Sequence, residues 1–85
     1  ARDPRLHLYY YRDNSGKEIE LLILYNHTIY PIEIKKSYHP EKQAIKNFDV
    51  VKKFGMEIGN GGVICLAKEI FPLDKINNLI PIELL

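Results

Sequence analysis

The 85-residue sequence has little of the chemistry that small domains use for cross-links or metal clusters. It contains one cysteine, Cys65, and no tryptophan. A single cysteine excludes an intramolecular disulfide, and its position in the apolar run GGVICLA predicts a small buried thiol. This fits a reducing compartment, so we expect a cytoplasmic protein. The three histidines (His7, His27 and His39) have no ligand spacing to Cys65, which argues against a zinc site.

Long apolar runs and a strong net charge are also missing. No stretch approaches the ~20 apolar residues needed to cross a bilayer, and the N-terminus lacks a signal-peptide pattern, so we expect no membrane partner. The formal net charge is +1, so attraction to nucleic acid can depend only on local clusters. The run GNGG at 59–62 lacks the Lys-Ser/Thr of a phosphate-binding loop and predicts a turn, which leaves no ATP-binding motif in this stretch.

What is present predicts a folded domain that begins with three strands. Hydrophobic residues make up 46% and charged residues 27%, which is typical of one globular domain. The runs LHLYYYR, KEIELLILY and IYPIEIK predict strands over 6–12, 17–25 and 29–35, joined by turns at DNSG and NHT. Alternation in the second strand puts Ile19, Leu21 and Ile23 on one face and Glu18, Glu20, Leu22 and Leu24 on the other.

The rest of the chain predicts a helix and further strands. Pro40 followed by Glu41 indicates a helix start, and Gly55 a C-terminal cap. Between them an amphipathic helix of about four turns is predicted by the helical spacing of Ala44, Ile45, Phe48 and Val51. VICLA predicts a strand in a parallel or central position, and the tail predicts a terminal hairpin or edge segment. The strand-strand-strand-helix-strand order predicts an α/β fold with a mixed sheet and a packed helix.

Two charged residues of the third strand form the candidate site. Glu33 and Lys35 point to the same face, because side chains alternate with period two. If Asn26 and His27 are the centre of a tight hairpin, Glu20 lies opposite Glu33 on the neighbouring strand. Two opposed carboxylates need a cation between them, either Lys35 or Mg²⁺ or Mn²⁺ held by both. With a lysine nearby, this is the chemistry of metal-assisted phosphodiester hydrolysis.

The alternative for these residues is a solvated polar strip with Lys35 in a surface ion pair. The pairing also depends on register, since a loop one residue longer would turn Glu20 to the other face. Glu18 shares the predicted face of Glu20 and is a substitute ligand or an exposed residue.

Lysines and tyrosines give two further candidate surfaces. Basic residues exceed acidic ones between positions 35 and 53, and candidates for contacting a nucleic-acid backbone are Lys36, Lys42, Lys46 and Lys53. The alternative is a solvated helix face on which Asp49 pairs with Lys53 at i, i+4. The three tyrosines at 9–11 are either a base-stacking platform or half-buried sheet residues, and alternation favours packing.

Four stretches together resemble a known domain: YYYRDNSGKEIELLILYNHTIYPIEIKKS, AIKNFDVVKKFG, GGVICLAKEIFPLD and LIPIELL. They resemble a domain of unknown function, of the DUF4143 type, that forms the C-terminal part of bacterial and archaeal AAA-type ATPases. That domain is similar in turn to the PD-(D/E)xK, or restriction-endonuclease-like, superfamily. The resemblance implies that Glu20 is the first acidic residue and that Glu33 and Lys35 form the E-x-K pattern, with Mg²⁺ or Mn²⁺ on the two carboxylates.

The resemblance also implies that residues 1–85 are one nuclease-like domain of a longer ATPase, with ATP bound elsewhere in the parent chain. The family usually has aspartate at the position of Glu20. The nuclease-like fold normally begins with a helix that carries a further acidic residue, which would lie upstream of Ala1. We expect Mg²⁺-dependent phosphodiester hydrolysis of DNA or RNA, or a vestigial form of it. The alternative is a non-catalytic module that binds nucleic acid or protein and regulates the ATPase. A third is oligomerisation through an exposed terminal strand.

Overall fold

The computed structural model describes residues 3–85, and within them seven strands form one mixed sheet. The strands are β1 (Leu6–Arg12), β2 (Glu18–Tyr25), β3 (Thr28–Ile34), β4 (Glu57–Ile58), β5 (Gly61–Cys65), β6 (Phe71–Pro72) and β7 (Asn77–Pro81). Their order across the sheet is β1-β2-β3-β5-β7-β6, and β4 also pairs with β3. The predicted mixed sheet is confirmed. No helix of the described residues is long and apolar enough to cross a membrane.

The loop between β2 and β3 has the length that the candidate site requires. Asn26 and His27 have φ values of 51° and 68°, and a type I′ hairpin turn needs positive φ at both central residues. Tyr25 therefore pairs with Thr28, and the ladder continues in the same register to Leu21 and Ile32. The two-residue hairpin is confirmed, and its register leads next to Glu20 and Glu33.

A β-bulge in β2 interrupts the alternation beside the site. Tyr9 pairs with Leu22 but Tyr11 pairs with Ile19, so Glu20 and Leu21 together stand against Tyr10. As a result Ile19 and Leu22 share one buried cluster, and the strict alternation predicted across 18–24 is wrong here. Glu20 lies at the bulge, just beyond the regular ladder.

The parallel strands form the interior of the sheet. β5 pairs in parallel with β3 on one side and β7 on the other, so the prediction of a buried central strand is confirmed. Gly61 is required there, because a Cβ would lie 2.6 Å from Asn77 Oδ1. Pro31 lies in the gap where pairing of β3 passes from Ile29 with β4 to Ile32 with β5, a position where the missing backbone N–H of proline is tolerated. Cys65 is buried, as predicted.

The predicted C-terminal hairpin is confirmed, but its last strand is not exposed at the edge of the sheet. β6 and β7 are antiparallel, with Phe71 opposite Leu79. β7 lies between β5 and β6 and is largely buried, so the expectation of an exposed terminal strand is wrong. Its pairing with β5 makes it an inner strand, and the short β6 becomes the edge. A last 3₁₀ turn, η3 (Ile82–Leu84), follows.

The helical segment is not the single α-helix predicted from its spacing. It consists of two 3₁₀ helices, η1 (Lys42–Ile45) and η2 (Phe48–Phe54). Glu41 is extended and offers no side-chain cap, and the segment contains Asn and Val residues of modest helix propensity. Asp49 accordingly pairs with Lys52 at i, i+3, the eclipsed spacing of a 3₁₀ helix, and the predicted pairing with Lys53 is wrong. The Gly55 cap is confirmed by its φ of 67°.

The apolar side chains of this segment pack against the sheet, as their spacing predicts. Phe48 and Val51 of η2 pack into a cluster with Ile19, Leu22 and Ile29 of the sheet. A second cluster is formed by Val63, Cys65, Ala67 and Leu79. Ile45 of η1 packs against both clusters. This packing fixes η1 next to the start of β2 and the end of β3, where the candidate site lies.

Candidate carboxylate site

The three predicted site residues line one cavity. It has a volume of about 500 Å³ and lies between β2, the end of β3 and η1. Glu20 enters it from β2, and Glu33 and Lys35 come from β3 and the residue just after it. The same cavity is also lined by Tyr10, Glu18 and Lys46. The structure thus brings together the acidic pair and the lysine that the sequence predicted.

Glu33 is a buried acid with a carboxyl neighbour. Its side chain is 7% exposed, and its backbone lies between β2 and β5, opposite Val63. Its pKa is raised to about 7, first by burial and then by the hydrogen bond and negative charge of the Glu20 carboxyl. The positive charge of Lys35, and to a smaller extent the backbone of Glu20, lower this pKa. Glu33 therefore retains a proton up to about neutral pH.

Lys35 is anchored by its backbone and free at its side chain. Its N–H donates to Ile64 O at 2.9 Å, which continues the β3–β5 pairing by one residue. The exposed side chain lines both the carboxylate cavity and the one adjoining it. The Lys35 side chain is thus positioned next to both cavities by the residue that follows β3.

Glu18 is engaged by two other groups. The Tyr10 hydroxyl donates to Glu18 Oε1 at 2.8 Å, and Arg12 Nε lies 3.5 Å from the same oxygen. The hydrogen bond to Glu18 also raises the pKa of Tyr10. These contacts favour a positioning role for Glu18 over its use as a substitute ligand.

The two carboxylates fit a hard divalent cation, but they are close to the smallest number of protein ligands that would hold one. Glu20 and Glu33 supply carboxylate oxygens, and Mg²⁺ is commonly held by one or two carboxylates together with water. Across residues 3–85 no group of three or more His, Cys, Asp or Glu side chains could hold a metal ion. Any metal here would therefore keep several water ligands.

The four lysines predicted to contact nucleic acid are dispersed. Lys46 lines the carboxylate cavity, whereas Lys42 lines a neighbouring apolar one. Lys36 is exposed outside the carboxylate cavity. Lys53 lies over the Tyr11 ring, with Nζ 4.7 Å from its centroid, and also donates to the Tyr11 hydroxyl. Only Lys46 is brought next to the site.

Comparison with known proteins assigns the chain to a family. The model of the domain of unknown function DUF4143 matches residues 1–85. The chain belongs to this family. The expected resemblance is confirmed at that level. No curated protein and no solved structure matches the chain.

Several residues of the DUF4143 site were not predicted from its sequence. Gln43 lines the cavity from η1, and Asn47 Nδ2 donates to Glu18 O at 3.2 Å. Tyr9 and Tyr10 are 51% and 58% exposed, so the predicted packing is wrong for them, although Tyr11 is half-buried. The signal for Tyr10 was its position in an aromatic run beside the acidic strand. Nothing local marks Gln43 or Asn47, because their role depends on how η1 and η2 dock.

Proposed function

We propose that this DUF4143 domain is a nuclease-like domain of a longer AAA-type ATPase that hydrolyses phosphodiester bonds with Mg²⁺ or Mn²⁺. One observation carries the proposal: Glu20, Glu33 and Lys35 line a single cavity. An acidic residue on one strand and E-x-K on the next is the pattern of the restriction-endonuclease-like superfamily. The antiparallel meander followed by a helical crossover into parallel β5 supports the same fold.

The residues divide the chemistry between them. A bound Mg²⁺ would polarise the phosphate and lower the pKa of a coordinated water. Glu33, fixed on an inner strand, and Glu20, at the bulge, would hold the ion. Lys35 would orient the attacking water and stabilise the negative charge that develops on the phosphate. The raised pKa of Glu33 means that the ion would replace a proton shared by the pair.

Cleavage assays with a matched lysine control test this proposal. Circular single- and double-stranded DNA should be nicked in Mg²⁺ or Mn²⁺ and remain intact in EDTA. Lys35→Ala should reduce the rate by about a hundredfold or more, since it removes the group that stabilises the transition state. Lys75→Ala changes an exposed lysine that lies outside the cavity and has no assigned role in binding, and should leave the rate within about twofold. Equal losses in both variants would contradict the assigned role.

Metal binding has a test that needs no activity. Titration of Mn²⁺ into the ¹⁵N-labelled protein should first broaden the backbone amides of Glu20, Glu33 and Lys35. Glu33→Gln should abolish this selectivity, because it removes the charge of the buried ligand. Uniform broadening in the unchanged protein would argue against a metal-competent pair.

A non-catalytic nucleic-acid-binding module is the second candidate, favoured by the exposure of Lys36 and Lys42 away from the carboxylates. In that case Lys36→Ala and Lys42→Ala should weaken binding, and each should reduce the salt slope by about one. Addition of Mg²⁺ or Mn²⁺ would then cause no cleavage of the nucleic acid. The same assays therefore separate a working nuclease from a vestigial one that binds.

A further inference from the structure

The carboxylate cavity is one part of a longer groove. It shares Lys35, Gln43, Ala44 and Lys46 with a second cavity of about 390 Å³. The second cavity shares His39, Pro40 and Glu41 with a third of about 920 Å³. Each cavity thus shares lining residues with the next one along η1, and we call the three together the η1 groove. The volumes of the three cavities together exceed the roughly 300–1,000 Å³ of a typical small-molecule pocket, which favours an extended chain as the ligand.

Exposed aromatic rings lie at both ends of the η1 groove. At the carboxylate end, the Tyr10 ring is 58% exposed while its hydroxyl is held by Glu18. At the far end, Tyr38 and Phe71 line the third cavity and are 61% and 62% exposed. Fixed aromatic faces open to solvent are what unpaired nucleobases stack on.

Positive charge lies between the two aromatic ends. Lys35 and Lys46 line both the first and the second cavity. The acidic residues of the first are Glu18, Glu20 and Glu33, whereas the second has Glu41 alone, so the positive excess lies in the second cavity. The ion pairs of the described residues use other cations: Arg5, Arg12 and Lys52. Two ammonium groups are therefore available to phosphates along the middle of the groove.

We propose that the η1 groove binds single-stranded nucleic acid, with unpaired bases on Tyr10 and on Tyr38 and Phe71, and phosphates at Lys35 and Lys46. The inference rests on the proposed function, because the strand would bring its phosphodiester to the same carboxylate cavity. A duplex keeps its bases stacked on one another, so its bases would not reach these rings. The alternation of aromatic ends and a basic middle favours a single strand over an acidic or apolar peptide.

Fluorescence anisotropy tests the proposal without requiring cleavage. The probes are a fluorescein-labelled oligothymidylate of about twelve nucleotides and the corresponding duplex, titrated in EDTA. We expect the single strand to bind at least about tenfold more tightly than the duplex. Tyr10→Leu and Tyr38→Leu should each weaken single-strand binding by about five- to a hundredfold, since each removes a stacking face.

The chain offers matched controls. Tyr9→Leu changes the neighbouring tyrosine, which is 51% exposed but does not line the groove, and should bind within about twofold of the unchanged protein. Tyr10→Phe keeps the ring and should recover most of the binding that Tyr10→Leu loses. Far-ultraviolet circular dichroism of every variant checks folding. If one leucine variant fails to fold, the other carries the test.

The outcomes separate this inference from the proposed function. Equal affinity for single strand and duplex, or an effect of Tyr9→Leu as large as that of Tyr10→Leu, would overturn the groove assignment. Lys35-dependent cleavage with no single-strand preference would overturn the groove assignment and leave the nuclease standing. Tyr10- and Tyr38-dependent binding of the single strand without metal-dependent cleavage would support the groove and count against the nuclease.

Discussion

At the scale of single residues, the main physical feature is a buried acid beside another acid. Glu33 is placed by its strand position, and its protonation follows from burial and from the carboxyl of Glu20. The E-x-K spacing predicted which face Glu33 shares with Lys35. It did not predict that Glu33 is buried and shares its cavity with η1, since both depend on distant parts of the chain.

Stability should depend on pH through Glu33. Its pKa is raised from 4.5 to about 7 in the folded state, so the folded state binds more protons between these values. Glu33 therefore makes its full contribution to the free energy of unfolding below pH 4.5, and this contribution is lost as pH rises toward 7. The loss amounts to at most about 3 kcal/mol. Urea unfolding in EDTA across this range should show the decline.

The matched variant Glu33→Gln should remove this decline, because the amide stays neutral. Its unfolding free energy should exceed that of the unchanged protein at neutral pH and approach it in acid. Glu57→Gln changes an exposed glutamate of β4 and should leave the pH profile unaltered. Parallel profiles for the unchanged protein and Glu33→Gln would contradict the raised pKa.

At the scale of elements, the spacing of apolar residues over 42–54 predicts an α-helix, whereas the helix propensity of these residues is weak. The spacing of apolar residues correctly predicted which side chains pack, because i and i+3 neighbours share a face in both α- and 3₁₀-helices. The type of helix was wrong, since packing against the sheet outweighs a weak intrinsic preference. The bulge in β2 has the same character: it lets Ile19 join the core, and no local pattern marks it.

Packing of η2 should dominate its contribution to stability. Phe48 is 6% exposed within the first cluster, whereas Phe54 is 40% exposed and contacts Tyr11 and Lys53. Phe48→Ala should lower the free energy of unfolding by about 3–5 kcal/mol, and Phe54→Ala by about 1 kcal/mol or less. Denaturant titration measures both. Similar losses would show that η2 is not docked through the Phe48 face.

At the scale of the whole molecule, two apolar clusters lie under one sheet. One joins the meander to η2, and the other joins the parallel strands β5 and β7. Ile45 contacts both clusters, and β3 pairs with both halves of the sheet. These links couple the two halves, so we expect them to unfold together.

Ile45→Ala tests this coupling. It should lower stability by about 2 kcal/mol, and circular dichroism and tyrosine fluorescence should still report one coincident transition. Ile70→Ala, at a site 60% exposed, should change stability by no more than about 0.5 kcal/mol. Separate transitions for the two probes in the unchanged protein would show that the clusters are independent.

The sequence by itself determined the features that depend on near neighbours along the chain. These are the three strands of the meander, the Asn26–His27 turn with its register, the cap at Gly55, and the shared face of Glu33 and Lys35. Each follows from backbone preferences or from the period of two along a strand.

Only the tertiary structure decided the rest. It placed Glu20 at a bulge, divided the helix into 3₁₀ segments, moved β7 inside the sheet, and buried Glu33 in a cavity that η1 also lines. It also joined Tyr10, Lys46 and Tyr38 along one groove. These features arise where segments far apart in the chain compete for the same buried space. Their outcome depends on packing and desolvation summed over the whole sheet rather than on any one stretch of residues.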